Sequence, residues 1–290
     1  MLNSTPTTCE RSWRALGIDR RQVAFDEKTT MKDSWQSGDP YEYYMGRWSK
    51  LVAELFVDWL SLPAGLSWLD VGCGSGALSE AVITKDSPGE IIAIDQSESF
   101  VSTTQQRIGN QAKCKVGDAL SLPLDDTSVN VSISGLVLNF LSEPEKSLAE
   151  MRRVTNKGGT VAVYIWDYAG GMEFLKYFWD IAVQLNPNAS SLHEGRRFLK
   201  ANAEELGATF TRVGFAEVET TSVEITTNFA NFDDYWKPFL GGQGPAPTYV
   251  LKLVETERNN LRDALARRLP IKEDGSIPLK ARAWAAKGLA

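Results

Sequence analysis

The chain has 290 residues, enough for two small domains or for one α/β domain with insertions. Its formal charge of −6 is opposite in sign to what phosphate neutralisation needs, so nucleic acid is set aside as a main partner. The longest comparable apolar stretch, ISGLVLNFL at 133–141, falls well short of the roughly 18 to 20 residues of a membrane span.

Taken from the start, residues 1–30 hold four Arg and several Ser/Thr but no apolar core, which argues against a secretory signal. Glu10, Asp19, Asp26 and Glu27 also weaken a transit-peptide reading. This stretch is expected to be an ill-ordered extension, with a single domain over 31–290. Cys9, Cys73 and Cys114 form neither a CxxC pair nor a disulfide framework, so a reducing cytoplasm is the expected compartment.

Residues 49–60 place Leu51, Val52, Leu55, Phe56 and Trp59 at helical spacing, and Leu62, Pro63 and Gly65 end the run. Apolar strand-like runs follow at 67–71, 90–95, 113–117, 129–137 and 160–166. Helical stretches at 76–85, 97–109 and 144–155 separate most of them. A helix at 201–213, a strand over 214–225 and a final alternating strand (Ile277, Leu279, Ala281, Ala283, Ala285) complete the pattern. Buried strands joined by crossover helices predict a doubly wound, mostly parallel α/β sheet of seven strands, Rossmann-like in plan.

Nine Trp, eight Tyr and twelve Phe are unevenly spread. Nineteen of these rings fall within 31–50, 164–199 and 226–250. The segments 31–50, 169–199 and 226–275 are therefore expected to form an aromatic-rich cap over the carboxyl edge of the sheet, where open α/β folds bind ligands.

The strongest local motif is WLDVGCGSGALSEAV at 68–82. A strand ends in Asp70, and Gly72, Gly74 and Gly76 turn the chain into a helix whose N-terminal N–H groups a ligand can approach. Gly72, Gly74 and Ala77 also fit the loose dinucleotide pattern, so a nicotinamide-dependent oxidoreductase stands as an alternative. Asp95 closes the second strand, where its carboxylate suits ribose hydroxyls, with a helix N-cap for the segment starting at Ser97 as the alternative. Asp118 closes the third strand and suits an adenine amino group, with the Ala119 N–H donating to the ring.

With these residues in view, the chain resembles the class I S-adenosylmethionine-dependent methyltransferases, in the small-molecule branch similar to ubiquinone/menaquinone-biosynthesis methyltransferases. DVGCGSG at 70–76, AIDQS at 93–97, VGDALSLPL at 116–124, SGLVLNFL at 134–141 and EMRRVTNKGGTVAVYIWDY at 150–168 carry the resemblance. It implies that the last strand runs antiparallel and that the cofactor is S-adenosylmethionine, with S-adenosylhomocysteine as product. By the same resemblance Gly72, Cys73, Gly74 and Gly76 face the methionine portion and Asp95 and Gln96 the ribose. Asp118 and Ala119 face the adenine, Ser134 lies beside the cofactor, and Arg47 is a candidate partner for its carboxylate. Cys73 reads as a packing residue rather than a nucleophile, since no base stands near it in sequence.

Methyl transfer from a sulfonium is a direct displacement, which leaves the protein to align reactants and exclude water. Tyr41, Tyr44, Trp166, Tyr168 and Trp236 are candidate acceptor-binding rings, and Arg197 a candidate for an acidic substrate group. If a base assists, the only histidine, His193, or Asp167 or Glu194 is placed to serve. No Cys, His and carboxylate set has metal-ligand spacing. The expected partner is a small molecule, and the pattern carries no signal for an oligomeric state. A protein that binds the nucleotide without turnover is the remaining alternative.

Overall fold

In the computed structural model, residues 42–198, 201–242 and 244–290 are described. The expectations for residues 1–30, for Cys9 and Tyr41, and for most of the first aromatic segment lie outside them. A short π-helix, Glu42–Gly46, runs straight into helix α1, Arg47–Leu60. Its buried stripe is Trp48, Val52, Phe56 and Leu60. The stripe is rotated from the expected one, leaving Leu51 and Leu55 exposed.

Five strands then alternate with helices: β1 Ser67–Val71, α2 Ala77–Asp86, β2 Glu90–Asp95, α3 Glu98–Ile108 and β3 Lys113–Val116. Strand β4 Val129–Gly135, α4 Pro144–Val154 and β5 Thr155–Trp166 follow. The start of α3 is capped by the Ser97 side chain, which accepts from Phe100 N at 3.4 Å, and α4 carries a proline in its first turn. Strand β5 begins five residues before the predicted 160. Its first half, Asn-Lys-Gly-Gly, has a loop's composition, yet Thr155 pairs with Val129 across a register shift.

The second half of the chain gives α5 Glu173–Leu185, a single turn α6 Glu194–Arg197, α7 Ala203–Val213 and β6 Ala216–Phe229. Three helices, α8 Phe232–Trp236, α9 Pro245–Lys252 and α10 Glu255–Arg268, precede β7 Ile277–Leu289. Asn202 caps α7 from an extended conformation, which places the helix start two residues after the predicted one.

The sheet order is β3-β2-β1-β4-β5-β7-β6. Strands β1 to β5 pair in parallel and β7 runs antiparallel to both β5 and β6, which gives the seven-stranded, mostly parallel sheet expected. Alternation along β5 divides two cores. Val161, Val163 and Ile165 face α4 and α7, while Ala162, Tyr164 and Trp166 face α1 and the cap helices. Across the β5–β7 register Tyr164 lies opposite Ala285 and Trp166 opposite Ala283, so small residues leave room for large rings.

The aromatic excess is mostly lid core. Phe178 stacks on Phe239 at 4.5 Å, and Tyr44 meets Phe174 and Phe239 edge-on at 6.1 and 5.7 Å. Trp48 packs edge-on against Phe229 at 5.2 Å, and Trp179 lies 5.6 Å from Tyr249. The expected aromatic-rich cap is thus present over the described residues, and most of its rings pack on one another. Phe178→Ala is expected to lower unfolding free energy by about 3 to 5 kcal/mol through the cavity it leaves, measured by urea denaturation.

Candidate functional site

Between β1 and α2 the chain turns through positive-φ glycines at 72, 74 and 76. At Gly72 a side chain is excluded twice: φ is +73°, and a Cβ would meet Val137 Cγ2 at 2.5 Å. The turn is tied to β2, because Gly72 N and Cys73 N both donate to the Ile94 carbonyl, at 2.7 and 2.9 Å. Asp95 completes the fastening: Oδ2 accepts from Gly74 N at 3.0 Å and Oδ1 from Ser97 N at 2.8 Å. Burial pushes the Asp95 carboxyl above its ordinary range, and these backbone donors pull it back.

A cavity of about 220 Å³ opens over this turn. Asp70, Gly72, Cys73, Gly74, Asp95, Gln96, Asp118 and Ala119 line one part of it, and Met45, Ser49, Phe140, Tyr164, Trp166 and Tyr168 another. Among the described lining residues every charged one is acidic: Asp70, Asp95 and Asp118. Asp70 is 1% exposed, and its Oδ2 accepts from Ser79 Oγ at 2.7 Å while Oδ1 is buried without a partner. Burial raises its pKa to about 7, the Ser79 hydrogen bond opposes that rise, and the Asp95 charge adds to it.

Ten of the proposed site residues thus meet at one cavity. Gly76 stands at the N-cap of α2 behind it, with φ +85° and Thr104 against the space a Cβ would need. Ser134 is a strut rather than a lining residue: it is buried and its Oγ donates to the Val71 carbonyl at 2.7 Å. Burial raises the Cys73 thiol, which agrees with a packing role.

The remaining candidates stand apart from the lining. Arg47 pairs with Asp234 Oδ1 at 2.8 Å and lies over the Trp48 and Phe229 rings, so its charge is already matched within the cap. Asp167 is held by Arg282, whose Nε and Nη2 donate to Oδ2 at 2.9 and 2.6 Å, and its Oδ1 accepts from Gly170 N. His193 stacks on Trp179, its Nδ1 accepts from Gly195 N at 3.0 Å, and burial lowers its pKa. Glu194 is buried and accepts from Trp179 Nε1. Arg197 lies over Phe198, Trp236 is buried beside Phe239, and Tyr44 is enclosed by rings.

Tyr164, Phe140 and Met45 are lining residues that the sequence reading did not assign. Tyr164 shares the period-2 face of Trp166, a signal that was present; Phe140 and Met45 enter from loop and helix geometry with no such period.

Residues 69–163 match the family described as Methyltransferase domain. Over 117 residues the chain is 34% identical to a demethylmenaquinone methyltransferase of Renibacterium salmoninarum, covering 40% of this chain and 46% of that protein. Over 224 residues it is 26% identical to 2-methyl-6-phytyl-1,4-hydroquinone methyltransferase of Synechocystis, covering 76% and 66%. Among solved structures, Haemonchus contortus phosphoethanolamine N-methyltransferase 2 with S-adenosyl-L-methionine superposes with a TM-score of 0.52 at 16% identity, over 86% of this chain and 56% of that one. The fold is therefore that of the class I S-adenosylmethionine-dependent methyltransferases. In sequence the chain is similar to ubiquinone/menaquinone-biosynthesis methyltransferases, and the nicotinamide alternative is not favoured. The chain spans from about a third to two thirds of the length of the relatives it matches.

A carboxyl whose folded pKa lies above its unfolded value contributes stability at low pH that is lost as pH rises through the folded pKa. For Asp70 that window runs from about pH 4 to pH 7. Asp70→Asn should remove this loss, so the variant gains on the wild type by on the order of 1.4 kcal/mol per pH unit at most within the window. Urea denaturation of both proteins from pH 4.5 to 8 checks this; parallel curves would place the Asp70 pKa elsewhere.

Proposed function

We propose that the chain transfers a methyl group from S-adenosylmethionine to a small, partly aromatic or apolar molecule. The observation that carries this reading is the meeting, in one cavity, of the fastened glycine turn, three strand-end carboxylates and a wall of rings. A wholly acidic set of charges suits a ligand that bears a sulfonium and an ammonium. The unpartnered Asp70 Oδ1 and the open space over Gly74 are features such a ligand fits. When bound, the cofactor supplies an activated methyl group for direct displacement.

The chain's own residues bind and orient. Gly72, Cys73 and Gly74 present backbone to the methionine portion, with Gly76 opening the helix behind them. Asp95 and Gln96 take the ribose, and Asp118 with the Ala119 N–H takes the adenine, while Ser134 braces the adjoining strand ends. Trp166 and Tyr168, joined by Tyr164 and Phe140, form the acceptor wall and exclude water. Relatives named for demethylmenaquinone and for a phytylated hydroquinone support an apolar ring as acceptor.

In this reading alignment does most of the catalytic work, which in-line positioning makes sufficient by several kcal/mol. Asp167 and His193 act as positioning residues: the first holds the 166–168 backbone through Arg282, and the second braces the Trp179 ring. Arg47 fastens the cap through Asp234. Among the described residues no helix is long and apolar enough to cross a membrane. Free thiols at Cys73 and Cys114 support the cytoplasm as the compartment.

Calorimetry with S-adenosylmethionine and S-adenosylhomocysteine tests the reading, and absence of binding would reject it. Asp95→Ala is expected to weaken binding of either by about 1 to 3 kcal/mol through lost hydrogen bonds to a charged acceptor. Unchanged affinity would remove Asp95 from the ribose site.

A further inference from the structure

A second cavity, of about 410 Å³, lies at the opposite edge of the sheet from the glycine turn. It sits where β4 and β5 begin, beside the carboxyl-terminal ends of α4 and α7. Three basic side chains, Arg152, Arg153 and Lys157, line it, and no Asp or Glu does among the described residues. In a chain of net charge −6 this lining runs against the average.

The three cations are not equivalent. Arg153 is spent within the fold: Nη1 donates to Asp126 Oδ1 at 2.8 Å and Nη2 to Glu150 Oε2 at 2.7 Å, and the same nitrogens reach the Leu124 and Leu122 carbonyls. Those bonds match the Asp126 and Glu150 charges and leave Arg153 as a fixed wall. Arg152 and Lys157 are exposed and have neither an ion pair nor a hydrogen bond among the described residues. The Arg152 guanidinium rests against Gly214, the C-cap of α7, where a Cβ would stand 3.5 Å from Nη1. Helix carboxyl ends favour a cation, which accounts for Arg152 but not for a second free cation, Lys157 on β5, lining the same cavity.

Thr127 adds an independent feature. It lines the cavity at φ +49°, a conformation rare for a β-branched residue, with its N–H held on the Arg153 carbonyl at 3.0 Å. Its hydroxyl is free to donate. At Ala290 the main chain pairs with Gly158 N and the Gly159 carbonyl, and no ion pair joins it to either free cation. Two cations and a hydroxyl match one dianionic phosphoryl group with three terminal oxygens, whereas a polyanion would need a longer track. The cavity is larger than one phosphate, and Ala149 and Val213 give it apolar lining for a small organic body.

We infer that this cavity is a binding site for small organic phosphate monoesters, held by Arg152 and Lys157 and separate from the cofactor cavity. The inference does not depend on the methyl-transfer reading.

Calorimetry on the full chain with phenyl phosphate, benzoate and phenol at constant ionic strength tests it. Phenyl phosphate should bind about tenfold tighter than benzoate, with phenol weakest, because charge-assisted hydrogen bonds carry the affinity. Arg152→Gln and Lys157→Gln should each weaken phenyl phosphate by about tenfold, and Arg152→Lys, which keeps the charge, should lose less. A merely structural role would shift the urea midpoint of the variants and leave the phosphate affinity of the folded protein in place. The inference is overturned if phenyl phosphate does not bind, if benzoate binds as tightly or more so, or if either Gln variant keeps the wild-type affinity.

Discussion

The site depends on a backbone held still by its neighbours between Val71 and Ala77. Three of its N–H groups are tied to β2, two on the Ile94 carbonyl and one on Asp95, and the Gly74 carbonyl accepts from Thr104 Oγ1 at 2.7 Å. A turn left to itself would sample many shapes, because glycine has the widest conformational range. Here the freedom that permits the turn is removed by hydrogen bonds to elements already fixed in the sheet. The rest of the cavity is arranged around that fixed edge.

Asp95 therefore has two duties that compete for its oxygens. Its carboxylate fastens Gly74 and the start of α3, and it also faces the cavity where a ligand hydroxyl would stand. A carboxylate has enough lone pairs for both, so the two roles are compatible. Asp70 differs in kind: one oxygen is held by Ser79 and the other is buried without a donor, and that burial raises its pKa to about 7.

Much of this was legible in the sequence for a physical reason. Hydrophobic runs ending in Asp70, Asp95 and Asp118 have the period and length of buried strands, and a parallel sheet brings such ends to one edge. Contacts made by residues far apart in sequence were not legible. Arg47 and Asp234 are 187 positions apart, and nothing local marks them as partners. For the aromatic clusters the sequence left two roles open, because a ring packed on another ring and a ring facing a ligand have the same composition. Only the alternation of Tyr164, Trp166 and Tyr168 carried directional information. The early start of β5 escaped because Asn-Lys-Gly-Gly has a loop's composition and is passed over in the β4–β5 register, which pairs Thr155 and resumes at Thr160.

The sheet order has a consequence for how the protein comes to be. Strand β7 lies between β5 and β6, and Trp166 packs on the side of the sheet where Ala283 is its cross-strand neighbour. During synthesis β6 emerges with its fourteen residues before its ladder partner β7, which follows it by three helices. Until residues 277–289 leave the ribosome, two strand edges stay open and the Tyr164 and Trp166 wall lacks its backing. The two parts of the cavity therefore differ in when they can be completed: the glycine turn and its carboxylates lie before residue 120, whereas the Tyr164 and Trp166 wall is backed by residues 283–285.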